Sequence, residues 1–340
     1  MKKHNRERRA LVVAGAATVV CAILPGRARG AQWQAKQFHN QPAQSHQHQF
    51  LTDLWGQVKT ETGGRLEVTV HAQNNGIPGG DPAALAMLQK GELEFYTVIA
   101  SILGRAVPVM EIQGLPFAFT SDEQVHRAND GALGEYLGRE CAAKGIYRFQ
   151  YGLLENGFRD IAMADRPIRT ADDLAGVKMR VPDGEMPPDL FRSLDAAPVT
   201  INVRDLYEAL KTRRVEGHEN PLVIMEVNKF YEVTKYVSVT HHMWSGFNLV
   251  ANLTFWNGLP ADVQEAVQRN VKKYVALQRA YTDNLNRQLE PKLVGRGMVF
   301  NTVDTAPFRK KLAVAFYQRW KKQLGATGWS LLEDQVGKLG

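Results

Sequence analysis

Cysteine is almost absent from this sequence: two cysteines occur among 340 residues. Cys21 lies in a short apolar stretch near the N-terminus, and Cys141 lies further along the chain. If the N-terminal stretch is removed on export, Cys141 is left alone, and no intrachain disulfide can form even in an oxidising compartment. We therefore expect Cys141 to be a buried, inert thiol.

Long hydrophobic runs are lacking as well. The N-terminal apolar run, Ala10 to Leu24, has 15 residues, fewer than the roughly 20 that are needed to cross a bilayer. It follows a basic segment that contains Arg8 and Arg9 and ends at a Pro-Gly pair, which is typical of an export signal. We expect residues 1–30 to be a signal peptide, cleaved before Ala31. An uncleaved anchor and a twin-arginine export route both stay open as alternatives.

The chain after residue 30 has almost no net charge. The formal net charge is +7, but residues 1–30 hold seven basic residues and one acidic residue, a net of +6, which leaves +1 for the remainder. The basic balance therefore gives no reason to propose a nucleic acid or another polyanion as partner. Hydrophobic residues at 44% and charged residues at 23% are ordinary for a soluble globular protein.

Motifs of catalysis and metal binding are absent too. The sequence has no His-Glu-x-x-His, no Cys-x-x-Cys, no Gly-x-Ser-x-Gly, no P-loop and no dinucleotide fingerprint after a strand. His46 and His48 are two residues apart in a predicted helix and face different directions, while His241 and His242 are adjacent. We therefore predict no metal site and no cofactor, and interpret these histidines as ordinary polar residues.

What is present is an alternation of strands and helices. Residues 34–38, 66–71 and 93–100 read as strands separated by helices, which is the βαβ pattern of an α/β domain. The length allows two modest domains. A helical pattern begins after Leu259-Pro260 and continues to Pro291, about 45 Å, which suits a brace across both domains. The predicted domains are 31–155 with about 245–283 returning to it, and 156–244 with about 284–340.

One arginine stands where a carboxylate could be gripped. Residues 177–181 alternate apolar and polar and read as a strand, with Arg180 near its end and Pro182 opening a loop. A guanidinium there can bind a carboxylate through two parallel hydrogen bonds. From spacing alone, a surface arginine without function is the alternative.

The motifs around Arg180 resemble a known family, the DctP family of extracytoplasmic solute receptors of TRAP transporters. The family pattern is matched by Gly-Val-Lys-Met-Arg-Val-Pro at 176–182, Leu-Tyr-Glu-Ala-Leu at 206–210 and Val-Glu-Gly-His-Glu-Asn-Pro at 215–221. Shorter matches occur at 115–117 and 229–233, so the resemblance covers nearly the whole chain after residue 30. It implies a two-domain periplasmic binding protein fold with a hinge, an interdomain ligand cleft and a long helix spanning both domains.

The resemblance also assigns site residues. It implies that Arg180 clamps the ligand carboxylate, that Arg159 adds a second contact and that Asn220 lines the site. Asn40, in the loop after the first strand, is the expected first-domain contact, although a turn residue is an equal alternative. Trp244 and Phe247 lie where the chain returns between domains, and either cover the ligand's carbon skeleton or belong to the core.

The implied function is capture of a small organic acid anion, such as a dicarboxylate, a keto acid or an aromatic acid, by domain closure. The implied partners are the small and large membrane subunits of a TRAP transporter, and the implied location is the periplasm. A sialic-acid-binding member has glutamate where this chain has Ile99, so we expect a smaller or more apolar acid than a sugar acid. Two alternatives stay open: a sensory module for a signalling receptor, and an enzyme acting on a carboxylic acid.

Overall fold

The structure, a computed structural model, describes residues 31–313 and 315–339. The predicted signal peptide therefore lies outside the described residues. Within the described ranges, no helix combines the length and the apolar character needed to cross a membrane.

The described chain alternates strands and helices, as predicted for an α/β fold. The strands are β1 (Trp33–His39), β2 (Leu66–His71), β3 (Phe95–Ile99), β4 (Ile146–Met163), β5 (Lys178–Val181), β6 (Ala197–Thr200), β7 (Gly217–Asn220), β8 (Tyr236–Asn252) and β9 (Val299–Thr302). The helices are α1 (His46–Glu61), α2 (Gly80–Lys90), α3 (Ala100–Leu103), α4 (Asp122–Asp130), α5 (Ala132–Ala142), α6 (Met186–Ser193), α7 (Val203–Lys211), α8 (Leu222–Val227), α9 (Leu253–Gly258), α10 (Ala261–Val294), α11 (Ala306–Leu312), α12 (Ala315–Leu324) and α13 (Ala326–Val336).

The strands form one sheet in the order β2-β1-β3-β8-β4-β7-β5-β6, with β9 also paired to β8. The antiparallel strands β4 and β8, of 18 and 17 residues, run through both halves of it. One end of this pair adjoins β3, and the other end adjoins β7 and β9. We call the half with β1, β2 and β3 the first lobe and the half with β5, β6, β7 and β9 the second lobe. The two crossing strands join the lobes, as a hinge requires.

The crossing strands differ from the prediction of shorter, separate strands. The sequence suggested a break after Leu154 and another near His241, but both segments continue as strand across β-bulges, at Glu155/Gly157 and Arg159/Ile161 of β4. A bulge bends a strand without ending it, which explains why a turn-like sequence persists inside a ladder. The predicted domain boundaries at 155/156 and 244/245 fall within these strands and stay a prediction.

Helix α10 braces the two lobes. Its 34 residues span about 50 Å. Near its start Asp262 pairs with Arg65 of the first lobe, and near its end Lys292 pairs with Glu226 of the second lobe at 3.0 Å. The helix passes Pro291, where we expected it to end, and ends within one turn of it, at Val294.

The C-terminal helices pack partly against the first lobe. Helix α13 contacts α4 and α5, whereas the prediction grouped about 284–340 with the second domain. In α5, Cys141 is fully buried, and burial raises the pKa of its thiol to about 12. A thiol with such a pKa is protonated and inert, as expected.

Candidate functional site

A cavity of about 190 Å³ lies where the two lobes face each other. Five of the six predicted site residues line it: Asn40 and Phe247 from the first-lobe side, and Arg159, Arg180 and Asn220 from the second-lobe side. Further lining residues are Asp81, Ile99, Ile102, Pro182, Asp183, Thr200, Asn202 and Ile224. Residues far apart in sequence are thus brought to one small, partly apolar cavity.

Arg180 is buried in the cavity wall, with 2% of its surface exposed. It lies on β5, and its Nε donates to the carbonyl of Ile201 at 2.8 Å. Among the described residues, no carboxylate pairs with Arg180 and neither Nη atom has an acceptor. Burial lowers the pKa of its guanidinium to about 10, so the group is still charged at neutral pH. The cavity therefore contains a buried cation with two unused donor groups.

Arg159 is equally buried but already paired. Its Nη2 donates to Glu219 Oε1 at 2.8 Å, its Nε donates to Glu219 Oε2, and its Nη1 donates to Ser245 Oγ at 3.1 Å. Burial acts to raise the pKa of Glu219, but Arg159 and His242 outweigh it and lower this pKa to about 2. Nη2 also donates to Asn220 Oδ1 at 3.3 Å. Glu219 thus holds the guanidinium in place and orients Asn220 through it.

Trp244 lies outside the cavity, unlike the other predicted residues. Its indole Nε1 donates to Asp122 at 3.0 Å and to Glu155 at 3.1 Å, in a separate buried cluster. Trp244 and Phe247 are three residues apart in one continuous strand, and side chains at odd separations point to opposite faces. Because the sequence suggested a break in this strand, it did not predict that the two aromatic side chains would lie on opposite faces of the sheet.

Asp81 is a cavity residue that sequence reasoning missed. An Asp-Pro pair is typical of a helix start with the aspartate as cap, but α2 is capped by Gly79 and Asp81 lies in its first turn. Its carboxylate instead accepts from Asn74 and Tyr96 at 2.7 Å each, and from Asn40 and Asn202 at 3.1 Å each. The two glycines before Asp81 are the sequence signal for a close approach of another segment, because a Cβ on Gly80 would lie 2.4 Å from the Asn202 amide nitrogen.

Direct contacts hold the lobes together around the cavity. Asn202 of the second lobe reaches Asp81 of the first, and Arg105 pairs with Asp183 at 3.1 Å. The carboxylate of Glu111 accepts from the backbone N–H groups of Glu185 and Met186 at 3.1 and 2.7 Å, at the start of α6. Burial raises the pKa of Glu111 to about 7. These contacts describe a closed arrangement of the two lobes.

Two of the histidines lie in the buried surroundings of the site. His218 and His242 are buried beside the arginines, and burial and Arg180 lower the pKa of His218 to about 3. Across residues 31–313 and 315–339, no three His, Cys, Asp or Glu side chains are grouped so as to hold a metal ion.

The known proteins that this chain is similar to are solute-binding proteins. Residues 38–323 match the model of the DctP family, described as bacterial extracellular solute-binding protein, family 7. A solute-binding protein of Chromohalobacter salexigens is 25% identical over 94% of both chains. The C4-dicarboxylate-binding periplasmic protein DctP of Rhodobacter capsulatus is 31% identical over 61% of each chain.

A solved structure agrees. The TRAP periplasmic solute-binding protein of Polaromonas sp. JS666, bound to D-erythronate, superposes with a TM-score of 0.83 at 27% identity, over 91% of this chain and 100% of that one. The two-lobed α/β fold with its interlobe cleft is therefore confirmed, as is the resemblance that the motifs around Arg180 indicated. This chain belongs to the DctP family of bacterial extracellular solute-binding proteins.

Proposed function

We propose that this chain is the solute-binding subunit of a TRAP transporter, and that it captures a small organic acid anion by closing its two lobes around it. The observation that carries the proposal is Arg180, a buried guanidinium whose two Nη atoms lack acceptors among the described residues. Burying a charge is costly unless it is paired, so a carboxylate supplied by a ligand satisfies this residue.

The remaining predicted residues have supporting roles in this proposal. Arg159, held by Glu219, adds positive charge, and Asn220 is presented at the cavity wall by its bond to Arg159. Phe247, Ile99 and Ile224 offer apolar surface for the ligand's carbon skeleton. The cavity is smaller than the roughly 300 Å³ of the smallest drug-sized pockets, which favours a small acid.

The closed lobes give the proposal its mechanism. Contacts such as Asn202–Asp81 form only when the lobes meet, and a ligand touching both lobes adds to them, so it shifts the population toward the closed state. The ligand is bound and released without chemical change. The proposed partners are the small and large membrane subunits of the transporter, and the proposed location is the periplasm after cleavage before Ala31.

Calorimetry and small-angle X-ray scattering on the mature protein test this function. We expect at least one member of a panel of mono-, di-, keto-, hydroxy- and aromatic acids to bind with one site per chain, and the radius of gyration to fall when it does. Binding without contraction would contradict closure, and the absence of binding by any carboxylic acid would contradict the function itself.

A further inference from the structure

Helix α12 connects the two lobes at a place outside the ligand cavity. On one side it contacts α13 and the short helical segment Pro108–Gly114, which follows α3 in the first lobe. The hydroxyl of Tyr317 in α12 donates to the carbonyl of Pro116, just after that segment, at 2.8 Å. Because α13 in turn contacts α4 and α5, α12 is attached to the first lobe.

On its other side α12 holds the first turn of α6, in the second lobe. Arg319 donates to Asp189 Oδ2 through Nε at 3.1 Å and Nη2 at 2.7 Å, and the indole Nε1 of Trp320 donates to the same oxygen at 2.8 Å. Gln323 Nε2 donates to Glu185, the residue before α6, at 2.6 Å. Side chains of one helix thus bind α6 to the first lobe.

The start of α6 lies at the edge of the cleft. Pro182 and Asp183, shortly before it, line the cavity. The backbone N–H groups of Glu185 and Met186 donate across the lobes to Glu111. A rotation that opens the cleft therefore carries α6 away from the first lobe, and α12 cannot stay in contact with both.

The contacts of α12 with the two lobes differ in how easily they separate. On the first-lobe side the packing is close: Trp329 of α13 is buried, and a Cβ on Gly328 would lie 3.0 Å from the side chain of Val109. On the second-lobe side the contact is polar and partly open to solvent, since the side chains of Arg319 and Asp189 are 46% and 21% exposed. Partly exposed polar contacts cost less to open than packed apolar surface, so the bonds to Asp189 are the ones that opening breaks.

We propose, on the basis of the proposed function, that Arg319 is a latch residue, which holds α6 through Asp189 only when the lobes are closed and so increases the affinity for the ligand. Apparent affinity falls with the fraction of the protein that can adopt the binding-competent state. A contact made only on closure therefore strengthens the binding of every ligand by the same factor. Arg319 is not among the described residues that line the cavity, so it does not select between acids, unlike a residue that contacts the ligand.

Titration calorimetry and stopped-flow release measurements test the latch. The probes are the two tightest-binding acids among succinate, D-erythronate, pyruvate, D-glucuronate and benzoate. Arg319→Ala should weaken the binding of both acids by a similar factor, about 3- to 20-fold, between the effects expected for an exposed ion pair and for a buried charged hydrogen bond. Release should become faster by about the same factor, with little change in association.

Two further variants sharpen this test. Asp189→Asn removes the other partner and should also weaken both acids, and adding Arg319→Ala to it should cause little further loss, because the two residues share one contact. Lys322→Ala removes the same charge from an exposed position of the same helix and should bind like the wild-type protein. Circular dichroism checks that each variant is folded, and Asp189→Asn carries the test if Arg319→Ala is not.

Three outcomes would overturn the latch and leave the proposed function intact. One is Arg319→Ala binding as tightly as Lys322→Ala. Another is a loss confined to one of the two acids, which would indicate a change in the cavity itself. The third is a lower free energy of unfolding of ligand-free Arg319→Ala in urea with unchanged affinity, which would make the contact one that is present in both states. Failure of the wild-type protein to bind any carboxylic acid would instead overturn the proposed function, and the latch with it.

Discussion

The two walls of the cavity differ in the partners that stabilise their buried charges. On the second-lobe wall, Arg159 is neutralised by the buried carboxylate of Glu219, and Arg180 has no such partner in the part of the chain that the structure describes. On the first-lobe wall, Asp81 is surrounded by neutral donors from three asparagines and a tyrosine. One wall thus contains a positive charge that we propose is kept for a ligand, while the other is an ordered polar surface, to which the opposite lobe contributes Asn202.

The difference between Arg159 and Arg180 is equally informative. Both are arginines on neighbouring parts of one sheet, and both are at most 3% exposed. Within the described residues only Arg159 has a carboxylate against its guanidinium, that of Glu219, whereas Arg180 donates only its Nε, to the carbonyl of Ile201. Charge and burial therefore do not distinguish the two arginines, and hydrogen-bond occupancy is the basis on which we propose Arg180 as the ligand clamp.

The largest expected effect comes from breaking the internal pair. Glu219→Gln leaves the Arg159 guanidinium buried without its counter-charge, which typically costs about 3–5 kcal/mol of the free energy of unfolding. Urea denaturation should show this loss. Glu208→Gln, on the exposed face of α7, is the control and should change stability by less than about 0.5 kcal/mol. Equal stability of both variants would mean that Glu219 is not needed to balance Arg159.

Removing the other arginine should affect binding and spare the fold. Arg180→Ala should weaken ligand binding by about 2–5 kcal/mol, on the order of 30- to 4,000-fold, because the ligand carboxylate loses its charged partner. Arg180→Lys should also lose much of the affinity, since lysine lacks the planar fork. Calorimetry measures both, with circular dichroism as the folding control. Wild-type affinity in folded Arg180→Ala would place the carboxylate elsewhere.

The contact between the walls can be changed at one residue. Asn202→Asp keeps an oxygen that can cap α7, where Asn202 now accepts from Arg204 N–H. It also places a second carboxylate against Asp81 Oδ2, from which the amide nitrogen is now 3.1 Å away. Like charges oppose each other only when the lobes are closed, so affinity should fall on the order of 10- to 100-fold. Unchanged affinity, measured by calorimetry, would show that Asn202 does not meet Asp81 in the bound state.

The smallest effect concerns pH and Glu111. Burial raises the pKa of this carboxyl to about 7 in the closed arrangement, where it faces the N–H groups of Glu185 and Met186 and the carboxylates of Asp183 and Glu185. If the group has its ordinary pKa of 4.5 in the open state, closure takes up a proton. The stabilisation of the closed state by protonated Glu111 is then fully present below that ordinary pKa and is lost as the pH rises through about 7.

Affinity should therefore increase about threefold between pH 7.5 and 6.5, as follows from these two pKa values. Calorimetry at both pH values, with a ligand that does not titrate in this range, measures the change. Glu111→Gln removes the ionisable group and should flatten the profile. A wild-type profile that is already flat, or one that rises with pH, would be inconsistent with proton uptake on closure.

The sequence pointed to five residues that line the cavity because its signals are local. Arg180 stands at the end of a strand that alternates over a few residues and ends before a proline, and the resemblance to short family motifs assigned it and Asn220 to the site. The α/β class and the long helix follow from periodicity, which is also a local property. The surroundings of Trp244 and Asp81 were not predicted because distant parts of the chain provide them: Trp244 donates to Asp122 and Glu155, and Asp81 accepts from Asn202.

What the sequence determined by itself is which residue types stand at strand ends and which segments become helix or strand. What only the tertiary structure decided is which of those groups are already paired. Glu219 neutralises Arg159 across 60 residues, and Asn202 reaches Asp81 across 121. Such pairs depend on how the lobes fold onto each other. Burial makes an unpaired charge costly, and this is why we propose Arg180 as the group left for a ligand.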